Sequence, residues 1–194
     1  MGKAKLSEYL ELGSKGGKVI FVKFLFILAR IGHHLSKMVT GDNFDEQLEL
    51  RVALFQMCQG FHPKDVDGKF GPKTSQAFAD WFLYGWNIND ILTARLSLGG
   101  EAATNNLRMV ILRMLGVDMG NDLVLDGSWG PVPKRRTSVL KGIYGLPPGP
   151  DIWDDTINQA LSDDFVGIDF ASITPEFFTK DTIVVGDPDD AKEG

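Results

Sequence analysis

At 194 residues, 43% hydrophobic and 24% charged, the chain has the composition of an ordinary globular protein able to bury a core, in one or two domains. Its single cysteine, Cys58, excludes an internal disulfide framework. The formal charge of −6 is unevenly spread: residues 1–40 hold seven Lys or Arg against two Glu, a net of +5, and residues 145–194 hold twelve Asp or Glu against two Lys, a net of −10. A basic head and an acidic tail can attract each other, within a subunit or between neighbours, or stand as two separately solvated segments.

Val19 to Ala29 is apolar except for Lys23. The run is shorter than the roughly 20 residues a bilayer span needs. A long polar leader, with no small-residue cleavage site after Ala29, argues against a signal peptide. Synthesis in the cytoplasm is expected, followed by release on lysis or inside a particle. Wound as a helix over 19–35, Lys23, Arg30, His34 and Lys37 share one narrow face, and Ile20, Phe21, Phe24, Leu25, Ile27, Leu28, Ile31 and Leu35 cover most of the rest. So apolar a helix needs burial on more than one side. A central core helix, an intersubunit helix and a membrane-surface helix all meet that need, the last not favoured. An exposed apolar surface of this extent marks an interface. The expectation is a homo- or hetero-oligomer with this helix in or near the contact, and the acidic Asp187, Asp189 and Asp190 docked on the basic stripe.

Next comes a phrase that occurs twice. The first copy runs Leu50, Ala53, Leu54, Met57, Cys58, then Asp67-Gly68-Lys69-Phe70-Gly71-Pro72 and Lys73-Thr74-Ser75. The second runs Leu107, Val110, Ile111, Met114, Leu115, then Asp126-Gly127-Ser128-Trp129-Gly130-Pro131 and Arg136-Thr137-Ser138. Arg51 falls on Arg108 in the same register. Two loop insertions around a preserved skeleton indicate a duplicated helical unit. The apolar spacing lines one helix face, and Cys58 on it reads as a small buried hydrophobe. Asp-Gly suits a tight turn, because Gly accepts positive φ and Asp bonds the local backbone. Phe70 or Trp129 plugs the gap between helices. Gly-Pro restarts a helix, and in the first copy Thr74, Ala77, Phe78, Trp81 and Phe82 form its buried side.

Between the copies, Trp81-Phe82-Leu83-Tyr84-Gly85-Trp86 reads as core, with sugar stacking as the other use of such a cluster. Asn87 to Leu98 reads as a short helix closed by Gly99-Gly100. After the second copy, Gly145 to Pro150 reads as a stiff linker and the best boundary in the chain. A short helix around Trp153, Thr156, Ala160 and Leu161 follows, then an acidic tail over 179–194 in which Ile183-Val184-Val185 could form a short strand or docking segment. The predicted fold is mainly α: an N-terminal helical segment (1–45), two repeated three-helix units (46–98 and 99–146), and a proline-rich linker, short helix and extended acidic tail (147–194).

The repeated phrase resembles the peptidoglycan-binding domain of bacterial and phage cell-wall enzymes, a three-helix unit built around Asp-Gly, aromatic-Gly-Pro and Lys-Thr. The resemblance covers about residues 48–85 and 105–145. It equates the family's glutamine at the end of the first helix with Gln56, and Arg113 stands there in the second copy. It implies a wall-binding surface beside the Asp-Gly loops, with Asp67, Lys69, Phe70, Asp126, Ser128 and Trp129 as the ligand-binding candidates.

Catalytic patterns are missing from the sequence. His33, His34 and His62 form no zinc motif, no glycine-rich phosphate loop appears, and no Cys-His pairing recommends Cys58 as a nucleophile. Asp65 and Asp67 lack the rest of a calcium-loop ladder. A muramidase would need a raised-pKa acid in a cleft, and the nearest text to that family's Glu-Gly-Gly, Gln59-Gly60-Phe61, lacks the acid. The expectation is a protein with no catalytic residue, no cofactor, no metal and no nucleic-acid partner. It would bind peptidoglycan or other virion or assembly proteins, as a phage virion or tail-associated component. Two alternatives stand beside it: a structural assembly protein that reuses the fold as a packing module, and a muramidase-like lytic enzyme with an unfamiliar active site.

Overall fold

A computed structural model describes residues 9–32, 41–117, 121–165 and 167–180. Eight helices form in it: α1 (Gly17–Leu28), α2 (Glu46–Cys58), α3 (Pro72–Phe82), a short α4 (Ile88–Asp90) that runs into a π-helical turn (Ile91–Arg95), α5 (Gly100–Met114), α6 (Pro131–Ile143), α7 (Asp155–Asp164) and α8 (Pro175–Phe178). Among the described residues there is no strand, only two isolated antiparallel bridges, Leu10 with Phe70 and Lys15 with Asn43. The chain is mainly α, as its periodicities indicate. No described helix is long and apolar enough to cross a membrane.

Local chemistry sets the helix ends. The Asp45 carboxylate accepts from Leu48 N at 2.9 Å and caps α2, and Glu46 and Glu49 favour the positive end of its dipole. α3 and α6 both open on the proline of Gly-Pro, where a missing N–H costs nothing. α2 and α5 stop the same way: Phe61 N reaches back to Gln56 O and Val117 N to Leu112 O, around Gly60 and Gly116 in the left-handed region.

α1 is the hub. Its Phe26 ring meets Phe55, Phe70 and Phe78 at 5.8, 6.1 and 5.3 Å. On its other side Phe21 and Phe24 meet Phe178 at 5.2 and 5.1 Å, and Phe24 meets Phe170 at 5.9 Å. Gly17 has no room for a side chain, because the Phe178 carbonyl occupies the place of its Cβ. One buried apolar cluster thus runs from Leu10 to Phe178. Burying each ring is worth about 1.5–3 kcal/mol.

Three sequence expectations are corrected here. The apolar helix is shorter than 19–35 reads, because Arg30 takes φ +55° and ends it. Its apolar face is covered by the chain's own core, the first of the three placements that the sequence allowed. The two described members of its basic stripe are taken up within the chain: Lys23 is 2% exposed and 3.1 Å from Asp45 Oδ2, and Arg30 pairs with Asp164 at 2.9 Å. His34, Lys37, the acidic tail with Asp187, Asp189 and Asp190, and Ile183-Val184-Val185 lie outside the described residues. Second, the stripe read on α2 is its outer face. Leu50 and Met57 are 50% and 56% exposed and Cys58 is exposed, whereas Leu48, Arg51, Val52, Phe55 and Gln56 are buried. Third, the proline-rich stretch is docked: Lys141 Nζ donates to Pro150 O at 2.9 Å and to Asp154 at 3.2 Å, and Leu146 packs against the core.

Candidate functional site

The site is built on the first Asp-Gly turn, and Gln56 holds it. This side chain points from α2 into the loop, almost wholly buried. Its Oε1 accepts from Asp67 N (3.1 Å) and Gly68 N (3.0 Å). Its Nε2 faces Asp67 Oδ1 (3.0 Å), Lys69 O (3.1 Å) and Thr74 Oγ1 (3.0 Å), three acceptors for two hydrogens. One amide therefore satisfies both sides of the turn and the first turn of α3. Asp67 Oδ1 also accepts from Lys69 N at 3.0 Å, the local bond that Asp brings to a turn. Gly68 sits at φ +71°, and a Cβ on it would lie 2.7 Å from Glu49 Cγ and 3.1 Å from Glu49 O.

An arm from the N-terminal side completes the wall. Leu10 and Phe70 exchange both backbone bonds, at 3.0 and 2.8 Å. The next residue, Glu11, pairs with Lys69 at 2.9 Å. The preceding residue, Tyr9, lies against Gly71. A cleft of about 120 Å³ results, lined by Tyr9, Gln56, Phe61, Asp65, Asp67, Lys69, Gly71, Lys73 and Thr74. Lys73 Nζ bonds Asp65 at 2.8 Å and lies 4.7 Å over the Phe61 ring. Its hydrogen bond and charge hold the Asp65 carboxyl below the ordinary carboxylate range.

The second turn shares the local geometry with different support. Gly127 has φ +80° and packs on Ala102, and Asp126 Oδ1 accepts from Ser128 N at 2.9 Å. Its clasp comes from Asn106 Oδ1, which accepts from Gly127 N at 2.9 Å, and from Asn105 Nδ2, which donates to Gly127 O at 3.0 Å. Arg113, the sequence counterpart of Gln56, turns elsewhere. It donates to Leu83 O and Leu123 O, and its guanidinium lies 3.2 Å from the Trp86 ring centroid. Thr137 donates within its own helix, to Pro133 O.

Of the six candidates, Asp67 and Lys69 line the cleft. Phe70 is 2% exposed in the core, so it shapes the turn and is not a contact residue. Asp126 and Ser128 are exposed on the second turn. Trp129 is half-buried, its indole N–H donating to Asp151 O at 3.3 Å, a weaker burial than that of Phe70. The aromatic stretch 81–86 is divided: Leu83 is buried, Phe82 and Trp86 are half-buried, and Trp81 and Tyr84 are exposed. Tyr9 escapes sequence reading, since a two-residue bridge leaves no periodic signal, and Phe61 is set in the cleft by the end of α2. Among the described residues no group of three His, Cys, Asp or Glu side chains is placed to hold a metal ion. No protein-family model, curated protein or solved structure matches the chain.

Proposed function

We propose that this is a non-catalytic peptidoglycan-binding protein whose ligand surface is the cleft at the first Asp-Gly turn. The observation that carries the reading is the Gln56 clasp. It spends a buried amide on holding an exposed polar loop in one shape, which preorganises a binding surface. Beside it Lys69 pairs with Glu11 and Lys73 with Asp65, and Asp67 is held by amide N–H groups, an arrangement suited to recognition more than to proton transfer. Purified protein should co-sediment with insoluble peptidoglycan at moderate salt and release no soluble fragments. Sedimentation no greater than that of a charge-matched control would remove the reading, and released fragments would replace it with a lytic one.

A second reading, an assembly module, draws on the outer faces of α2 and α3. Leu50, Met57 and Cys58 point away from the core, and Trp81 is 49% exposed. Light scattering across protein concentration tests it: self-association that persists in high salt supports an apolar contact, and a strict monomer leaves only a different partner.

A further inference from the structure

Resting on the wall-binding reading, we propose that Tyr9 is the platform of the cleft and that the group it receives is a neutral N-acetylated hexosamine ring of the glycan strand, not the stem peptide. Tyr9 is 47% exposed, although the chain that follows it is held at two successive residues. The paired backbones of Leu10 and Phe70 hold the arm, and the Glu11–Lys69 ion pair holds the residue beyond. Its ring rests on Gly71, where a Cβ would come 2.5 Å from Cε1 and 2.8 Å from Cδ1. Gly71 has φ −103°, which any residue adopts, so the glycine is there for space. The corresponding Gly130 meets nothing within 4 Å. The seat for an aromatic ring is thus particular to the first turn.

The surroundings select the ligand. Tyr9 and Phe61 supply apolar walls, and Asp67, Lys69, Lys73 and Thr74 supply donors and acceptors between them. A pyranose ring has the matching division, with C–H groups on its face and hydroxyl and acetamido groups on its rim. The charge balance argues against an acidic peptide. Glu11, Asp65 and Asp67 face Lys69 and Lys73, three carboxylates against two ammoniums, and both ammoniums are already paired. A ligand bearing carboxylates would meet a like-charged rim.

The test compares wild type, Tyr9→Trp, Tyr9→Ala and Tyr9→Leu on whole peptidoglycan and on glycan strands stripped of stem peptides and methyl-esterified at the lactyl carboxylates this frees, with a thermal melt of each. Leu keeps an apolar contact on Gly71 and lacks the ring face, so it separates stacking from folding. Wild type and Tyr9→Trp should bind both materials. Tyr9→Ala and Tyr9→Leu should bind each about tenfold more weakly, Tyr9→Leu melting with wild type. Binding by Tyr9→Leu equal to wild type would overturn the role of Tyr9, and wild-type binding to whole wall but not to stripped glycan would overturn the sugar assignment; either result leaves wall binding standing. Wild type that binds neither material would overturn the wall reading and this inference together.

Discussion

A single amide carries more of the candidate site than any charge in it. Gln56 meets five groups of the turn and of α3, and a buried polar group stripped of its partner costs about 1–3 kcal/mol. Gln56→Leu keeps the volume and removes the bonds, leaving the Asp67 and Gly68 amides without their acceptor. Its expected cost is about 2–4 kcal/mol, read as a fall in the denaturation midpoint with unchanged slope. A variant as stable as wild type would mean that water replaces the clasp. Arg113→Leu is a different experiment, since Arg113 ties the end of α3 to Leu123 in the loop before the second turn. Sequence register pairs these two residues, while the clasp on the second turn comes from Asn105 and Asn106.

At the scale of elements, α1 and α2 show what sequence makes legible. The caps, the proline starts and the positive φ of Gly68 and Gly127 are written locally, and each is found where the residues place it. The buried face of α2 is not. This helix carries apolar side chains all round, Leu48, Val52 and Phe55 inward and Leu50, Met57 and Cys58 outward, so periodicity selects no side. The inward face even includes Arg51 and Gln56. What decides is Phe55 against Phe26 and Phe78, contacts between elements far apart in the chain. The same holds for Phe170 and Phe178, which turn a stretch resembling a linker and tail into the second wall of α1. For the site, the turn was legible, but Tyr9 was not, because its place depends on a bridge across sixty residues. Lys23 gives α1 its own test. Asp45→Ala removes both the cap of α2 and the carboxylate beside a buried ammonium, at an expected cost of roughly 2–4 kcal/mol. Lys23→Met should cost far less, since an apolar chain of similar length suits that burial. Equal losses in the two denaturation curves would contradict this account of the pair.

Across the whole molecule, two carboxylates join α7 to the rest. Asp164 accepts from Tyr144 Oη at 2.7 Å and from Arg30 at 2.9 Å. Asp154 caps α7 and pairs with Lys141. Hydrogen bonds, from Tyr144 to the one and from Thr156 to the other, lead the effects that lower both below the ordinary 3.8. A carboxyl lowered in the folded state adds stability that is complete above the unfolded value and lost as pH falls through the folded one. Acid should therefore loosen the seat of α7 below pH 3.8 and leave it intact at neutral pH. Carboxyl-carbon NMR titration checks this: both midpoints should fall under 3.8, and values at or above it would detach these groups from the folded state's acid sensitivity. Both side chains are about a third exposed, so salt should weaken the effect.

The outward turn of α2 has a practical corollary. The chain's one thiol is exposed on the helix that carries Gln56, on its solvent side. A maleimide dye added to native protein should couple at one known position with no engineering, leaving the cleft unobstructed and reporting on the helix behind it. The same thiol can join two chains by air oxidation, producing covalent pairs unrelated to any native association. Measurements of assembly state therefore call for a reductant, and a dimer that vanishes when one is added belongs to Cys58 chemistry and not to the fold.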